Sequence, residues 1–120
     1  MRQAYAALAD PALNPAARQE LETFARRIGT GDAISDRVLM LFTMLGAVDL
    51  AYRYAYRTLD DASLTGAIGN RFSIWYPEMR PFRRDPRFPA YVARLKLPDY
   101  WKQYGPPDEC DLKADEITCH

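Results

Sequence analysis

The residue types that most often carry out catalysis are scarce in this sequence. Its single histidine, His120, is the final residue. A base at a chain end is not held in hydrogen-bond geometry, which disfavours histidine-dependent acid–base or nucleophilic catalysis. Cys110 and Cys119 lie nearby, but their spacing fits no standard zinc pattern. We therefore predict neither a metal site nor a cofactor.

The acidic residues offer no better catalytic pair. They occur as sequence neighbours whose side chains point apart, so we interpret them as solvated charges: Asp60-Asp61, Asp108-Glu109 and Asp115-Glu116. The residues after Gly66 and Gly69 do not have the pattern of a phosphate-binding loop. We predict that the chain is not an enzyme.

Four arginines are interleaved with two phenylalanines, Phe82 and Phe88. One interpretation is an anion or RNA patch with stacking aromatic rings. The other is that the arginines lie over aromatic faces and pair with Glu78 and Asp85. We favour the second, because 16 basic and 16 acidic residues leave no net charge to attract nucleic acid or an anionic membrane. The four are Arg80, Arg83, Arg84 and Arg87.

A second group of candidates is aromatic and lies in the C-terminal third of the chain. We expect these residues to pack short helices against the preceding ones as a cap, since aromatic clusters at helical spacing are usually core. The alternative is a pocket for a small molecule. The residues are Trp75, Tyr76, Tyr100, Trp101 and Tyr104.

Proline and glycine divide the elements that must position these residues. At 120 residues and 48% apolar composition, the chain is expected to form one domain with a modest core. A first helix is predicted to end before Asp10-Pro11. A second begins with Asn14 as its cap, ends at Gly29 and carries one apolar stripe of Ala17, Leu21, Phe24, Ala25 and Ile28.

The next two helices are predicted to form an antiparallel hairpin. The third begins near Asp32 or Ser35 and ends at Gly46, and the fourth begins at once. The third has a broad apolar face of Val38, Leu39, Leu41, Phe42 and Leu45. The stripe of the fourth consists of Val48, Ala51, Tyr52, Ala55, Tyr56 and Leu59.

The second half of the chain is divided by turn-forming residues. Residues 60–70 read as a loop or a frayed helix. Seven prolines in residues 71–107 permit only short helices, predicted near 77–83, 86–96 and 98–104, with Asp85 capping the second. We place a single helical domain at 1–107 and a loose acidic tail at 108–120.

The cellular location is predicted from three features. We expect two reduced thiols, because disulfides are rare in the cytosol. No secretory leader is expected, and the stretch from Val38 to Ala55 is too polar to span a membrane. Together they predict a cytoplasmic protein.

Residues 32–59 resemble a tetratricopeptide repeat. Gly46 falls at the turn between the two helices, and Ala51 falls at the small position of the second helix. Val38, Leu39 and Phe42 occupy the large apolar positions of the first. Three further segments look like the C-terminal end of bacterial signalling proteins that carry tetratricopeptide arrays: Trp75 to Phe88, Leu97 to Trp101 and Pro107 to Cys110.

This resemblance covers residues 32–110 and implies a fold and a function. The fold is all-α, with tetratricopeptide-like antiparallel helical hairpins and a C-terminal cap of short proline-started helices. The function is that of a non-catalytic protein–protein interaction module, the capping end of an array in a bacterial signalling or regulatory protein. Nothing here resembles the DNA-binding or cyclase domains that such proteins often carry upstream.

The resemblance also implies a binding surface. The first helix of such a repeat lines a concave groove, which here would meet a protein or peptide partner through Asp36, Arg37, Met40, Thr43 and Met44. Methionines suit adaptable contacts, although Met40 and Met44 would serve equally as core residues.

One recognisable repeat leaves helix faces uncovered, since such repeats bury their faces by stacking. We expect self-association, as a homodimer, through an exposed apolar surface around Tyr5, Leu8, Leu21 and Phe24. The alternative function is a regulatory domain that senses a small molecule at the aromatic C-terminal end.

Overall fold

A computed structural model describes residues 1–28, 35–60 and 73–120. Within these residues the chain is mostly helical. Helices α1 to α4 span Arg2–Ala9, Asn14–Arg27, Ser35–Met44 and Val48–Asp60. Helices α5 to α7 span Arg80–Arg83, Phe88–Arg94 and Leu97–Tyr104. Short 3-10 helices at Pro11–Leu13 and Pro77–Met79 precede α2 and α5, and strands β1 and β2 span Cys110–Lys113 and Glu116–Cys119.

Helices α1 and α2 pack together and are separated by the predicted break at Pro11. The Asp10 carboxylate caps the intervening 3-10 turn by accepting the N–H of Ala12 at 3.1 Å. Asn14 is not the cap that we predicted, because it already lies inside the helix. Its amide instead donates to the carbonyl oxygen of Leu45 at 3.0 Å, which ties α2 to the turn after α3. The predicted stop at Gly29 lies outside the described residues.

Helices α3 and α4 form the predicted hairpin around Gly46. This glycine has φ of +74°, the left-handed conformation that ends many helices. Its N–H donates to the carbonyl of Thr43 at 3.0 Å, and the N–H of Ala47 donates to that of Phe42 at 2.8 Å. The start of α3 at Ser35 and of α4 at Val48 agree with the sequence interpretation. The predicted loop lies, apart from Asp60, outside the described residues.

The core is continuous from the first four helices into the cap. The predicted apolar face of α3 is buried throughout, which confirms that pattern. Helix α4 is buried on more than its predicted stripe, because Tyr54 and Thr58 are covered in addition to Ala51, Tyr52 and Ala55. Helix α4 is therefore enclosed on one side by α3 and on another by the cap.

The cap consists of short helices close to the predicted ranges. Two starts differ, since the helix expected to open at Pro86 begins at Phe88 and the one expected at Pro98 begins at Leu97. The Asp85 carboxylate accepts the N–H of Arg87 at 2.9 Å, and its carbonyl accepts the N–H of Phe88 at 3.0 Å, which holds Pro86 in a turn. Lys96, at φ of +59°, ends α6 in a conformation that glycine adopts more readily.

The C-terminal tail is not loose. Strands β1 and β2 pair in antiparallel register, with Leu112 opposite Ile117, so the fold is not purely α-helical. The turn escaped prediction because Ala114 occupies the left-handed region, with φ of +54°, where a hairpin signal would be glycine.

The two cysteines form a disulfide across this hairpin, so the prediction of reduced thiols is wrong. Cys110 and Cys119 are directly paired in the register, which brings their sulfurs together. The disulfide removes the cysteine argument for a cytoplasmic location. None of the described helices is long and apolar enough to cross a membrane.

We expect the disulfide to stabilise the fold by restricting the unfolded chain. Replacing Cys110 and Cys119 with alanine should lower the free energy of unfolding by about 2–3 kcal/mol, the loop-closure value for a short loop. Urea denaturation of the oxidised protein, the variant and the protein reduced with a phosphine measures the effect. Equal midpoints for all three would show that the hairpin adds nothing to stability.

Candidate functional site

The four predicted arginines do not form one patch. Arg83 is buried, and its guanidinium donates to the carbonyl oxygens of Ile74 and Tyr76, both at 2.8 Å, and of His120 at 3.2 Å. Burial lowers the pKa of Arg83, but a guanidinium remains charged at neutral pH. Arg83 therefore joins the start of the cap to the end of the β-hairpin and is closed to an outside anion.

Arg87 is occupied by two carboxylates. Its guanidinium contacts Asp85 and Asp49, each at 2.7 Å, and lies 4.6 Å from the ring centroid of Tyr52. The hydrogen bond from Arg87 holds the pKa of Asp85 below its ordinary value, so this carboxylate is ionised at neutral pH and is unsuited to act as a general acid. The favoured interpretation, pairing with Asp85 over an aromatic face, describes Arg87 well.

Only two members of the group, Arg80 and Arg84, are exposed to solvent. Two exposed guanidinium groups on a chain of zero net charge attract nucleic acid only weakly.

Tyr52 was predicted as a residue of the apolar stripe, but its contacts between α4 and the cap were not predicted. Its ring stacks on Phe82 with centroids 4.1 Å apart, and its hydroxyl donates to the Phe82 carbonyl at 2.7 Å. Burial raises the pKa of this phenol well above its ordinary value, so it remains a hydrogen-bond donor. The available signal was a tyrosine in an apolar stripe, because a phenol hydroxyl needs a polar partner when it is buried.

The predicted aromatic cluster divides into buried and exposed members. The rings of Trp75 and Trp101 lie 6.0 Å apart, and Trp75 also meets Phe88 edge-on at 6.0 Å. Trp101 is buried and Trp75 is half-buried, as a packing role for the two tryptophans requires. The other three residues, Tyr76, Tyr100 and Tyr104, are exposed, and the rings of the last two lie against each other with centroids 4.7 Å apart and planes tilted by 36°.

The predicted groove residues lie along α3 with unequal access. Arg37 and Met44 are exposed, and Asp36 and Met40 are half-buried. Thr43 is buried, and its hydroxyl donates to the Leu39 carbonyl at 3.0 Å, so it is not available to a partner. Helical spacing places Arg37, Met40 and Met44 along one side of the helix.

Helix α1 and the 3-10 helix after it expose more large apolar side chains than the predicted groove on α3 does. The exposed fractions are 51% for Tyr5, 38% for Leu8 and 43% for Leu13. We call these three residues the α1 face. Leu21 was expected there, but it is fully buried between the helices because it lies in the α2 stripe with Ala17 and Ala25.

Phe24, also expected in this surface, is half-buried. It lines a groove of about 480 Å³ between α1 and α2, together with Gln3 and Gln19.

Comparisons with protein-family models, with curated proteins and with solved structures find no match for this chain. Its function must therefore be argued from its own surfaces. Within residues 1–28, 35–60 and 73–120, no group of three histidine, cysteine or acidic side chains is arranged to hold a metal ion. Both cysteines are already joined in the disulfide.

Arg83 offers a direct test of its structural role. Replacing it with methionine keeps most of the side chain but removes the donor to the buried carbonyl oxygen of Ile74. The Tyr76 and His120 oxygens are part-buried, and that of Tyr76 also accepts the N–H of Met79 at 2.9 Å. We expect the free energy of unfolding to fall by about 2 kcal/mol, since a buried unsatisfied group costs about 1–3 kcal/mol. The exposed neighbour Arg84→Met is the matched control and should change stability by less than about 0.5 kcal/mol in urea denaturation. Similar effects in both variants would contradict this assignment.

Proposed function

We propose that this chain is a non-catalytic protein-interaction module that binds through the α1 face. The observation that carries the proposal is the exposure of Tyr5, Leu8 and Leu13 on neighbouring helical segments. Helix α1 buries Ala4 and Ala7 against the rest of the protein and turns larger apolar side chains to solvent. A helix that is apolar on more than one side is usually covered on each.

The composition around the α1 face supports the same conclusion. Between Gln3 and Gln19 the sequence has two charged residues, Asp10 and Arg18, although 27% of the whole chain is charged. Arg18 is engaged with Asn14 and Leu45, which leaves Asp10 and, just before this segment, the exposed Arg2 as the charges near the surface. Depletion of charge around exposed aromatic and aliphatic side chains is typical of the centre of an interface.

The accessible groove residues of α3, Arg37, Met40 and Met44, lie next to this surface in our proposal. Asn14 is bonded to Leu45, and their sequence neighbours Leu13 and Met44 are both exposed, so the two apolar side chains lie at the same end of the helices. We include Arg37, Met40 and Met44 in the proposed surface and leave out Thr43.

The packed pairs α1–α2 and α3–α4, followed by a short-helix cap, are the order expected at the capping end of a tetratricopeptide-like array. In a bacterial signalling protein of that kind, an earlier helix pair would cover the α1 face. In the isolated chain, a second copy supplies the same apolar surface, as in a twofold-symmetric dimer.

The alternative, a ligand-sensing domain, draws its support from Tyr100 and Tyr104. Their adjacent, tilted rings are the most exposed aromatic surface of the described cap. The packed positions of Trp75 and Trp101 weigh against a pocket built from the whole aromatic group. We therefore place protein binding first.

The oligomeric state of the isolated chain tests the proposal. Sedimentation velocity over a wide concentration range should show the apparent mass rising toward that of a dimer. The double variant Tyr5→Glu, Leu8→Glu should remain a monomer, because charges at the centre of an apolar interface are strongly unfavourable. Tyr104→Glu, which alters an exposed tyrosine elsewhere, is the control and should dimerise normally. A wild-type chain that stays monomeric at the highest concentration would overturn self-association through the α1 face.

A further inference from the structure

A small pocket on a different surface is surrounded by arginine. It lies between the C-terminal half of α2, helix α3 and helix α4, and its volume is about 110 Å³. Its apolar lining comes from Ala25, Phe42, Leu50 and Tyr54. None of these residues belongs to the α1 face or to the predicted groove on α3. We call it the arginine pocket.

Three guanidinium groups border the arginine pocket, and one carboxylate accompanies them. Arg26 already pairs with that carboxylate, Glu22, at 2.7 Å. Among the described residues no carboxylate lies within ion-pair distance of Arg53 or Arg57. Among the described lining residues, three arginines therefore stand against one glutamate, in a chain whose net charge is zero.

One of the three guanidinia is held in place. Arg57 donates to the carbonyl oxygens of Ala25 at 3.1 Å and Ile28 at 3.4 Å, and it lies 6.0 Å from the ring centroid of Tyr54. These contacts fix it at the end of α2, so binding an anion there costs little further side-chain order.

Arg53 lies one helical turn before Arg57 and is exposed. Like charges at this spacing disfavour a helix slightly, so local helix stability does not account for the pair.

We propose that the arginine pocket binds an acidic peptide segment of a partner protein, with a carboxylate on the arginines and an adjacent apolar side chain in the pocket. Arginine is the side chain best suited to pair with a carboxylate through two parallel hydrogen bonds. The apolar base and the volume for one side-chain-sized group favour such a segment over a bare phosphate or a nucleic acid backbone. This inference rests on the proposed function and names the chemistry of a second partner.

The test uses the isotope-labelled full chain and the peptide acetyl-GDLEFG-amide, followed by amide and arginine side-chain shifts in NMR titrations. We expect saturable shifts at Arg53, Arg57 and Leu50. The peptide acetyl-GKLKFG-amide should cause none. Arg53→Glu should raise the dissociation constant of the acidic peptide about tenfold or more. Arg53→Lys should retain most of it, and Arg84→Glu, on the cap, should match the wild type.

Three outcomes would overturn the inference. They are no shifts with the acidic peptide, equal affinity in Arg53→Glu, or the same shifts with inorganic phosphate or a polyuridine oligonucleotide at equal concentration. The Tyr5→Glu, Leu8→Glu variant separates this inference from the proposed function. It should bind the acidic peptide like the wild type although it no longer dimerises. If the wild type failed to dimerise but still bound the acidic peptide, the proposed function would fail and the arginine pocket would stand.

Discussion

The contact between Tyr52 and Phe82 joins the two halves of this protein. Helices α5 to α7 have between 4 and 8 residues. Isolated helices of that length are unstable in water, so the cap must take its order from packing. Tyr52 provides this packing by stacking on Phe82 and donating a hydrogen bond to the Phe82 carbonyl, while Tyr91 meets both rings edge-on. The phenol is buried, so losing its acceptor would cost about 1–3 kcal/mol.

Two arginines add further contacts between the cap and its neighbours. Arg87 covers the ring of Tyr52 and links the cap to Asp49 on α4. Arg83 links the residues before α5 to the β-hairpin. The C-terminal half thus packs against α4, and the two proposed binding surfaces lie on the elements that precede it.

The sequence predicted those parts of the fold that depend on local chemistry. Gly46 and the prolines set helix ends through backbone geometry alone, so these boundaries were within about two residues of the structure. Contacts between distant residues were not predictable in this way. The β-hairpin lacks a glycine turn, and the burial of Arg83 depends on the backbone oxygens of Ile74, Tyr76 and His120, which lie 9, 7 and 37 residues away. Thr43 was predicted as a groove residue from the register of the resemblance, but its hydroxyl donates to the preceding turn of α3.

Denaturation followed by two probes tests most directly whether Tyr52 unites the halves. Trp75 and Trp101 are the only tryptophans in the sequence and both lie in the cap, so their fluorescence reports the cap. Far-ultraviolet circular dichroism is dominated by α1 to α4, which together contain most of the residues in the described helices. We expect coincident urea transitions for the wild type, and for Tyr52→Phe a shift of both transitions to the same lower midpoint. A fluorescence transition that precedes the circular dichroism transition in the wild type, or that moves alone in Tyr52→Phe, would contradict this expectation.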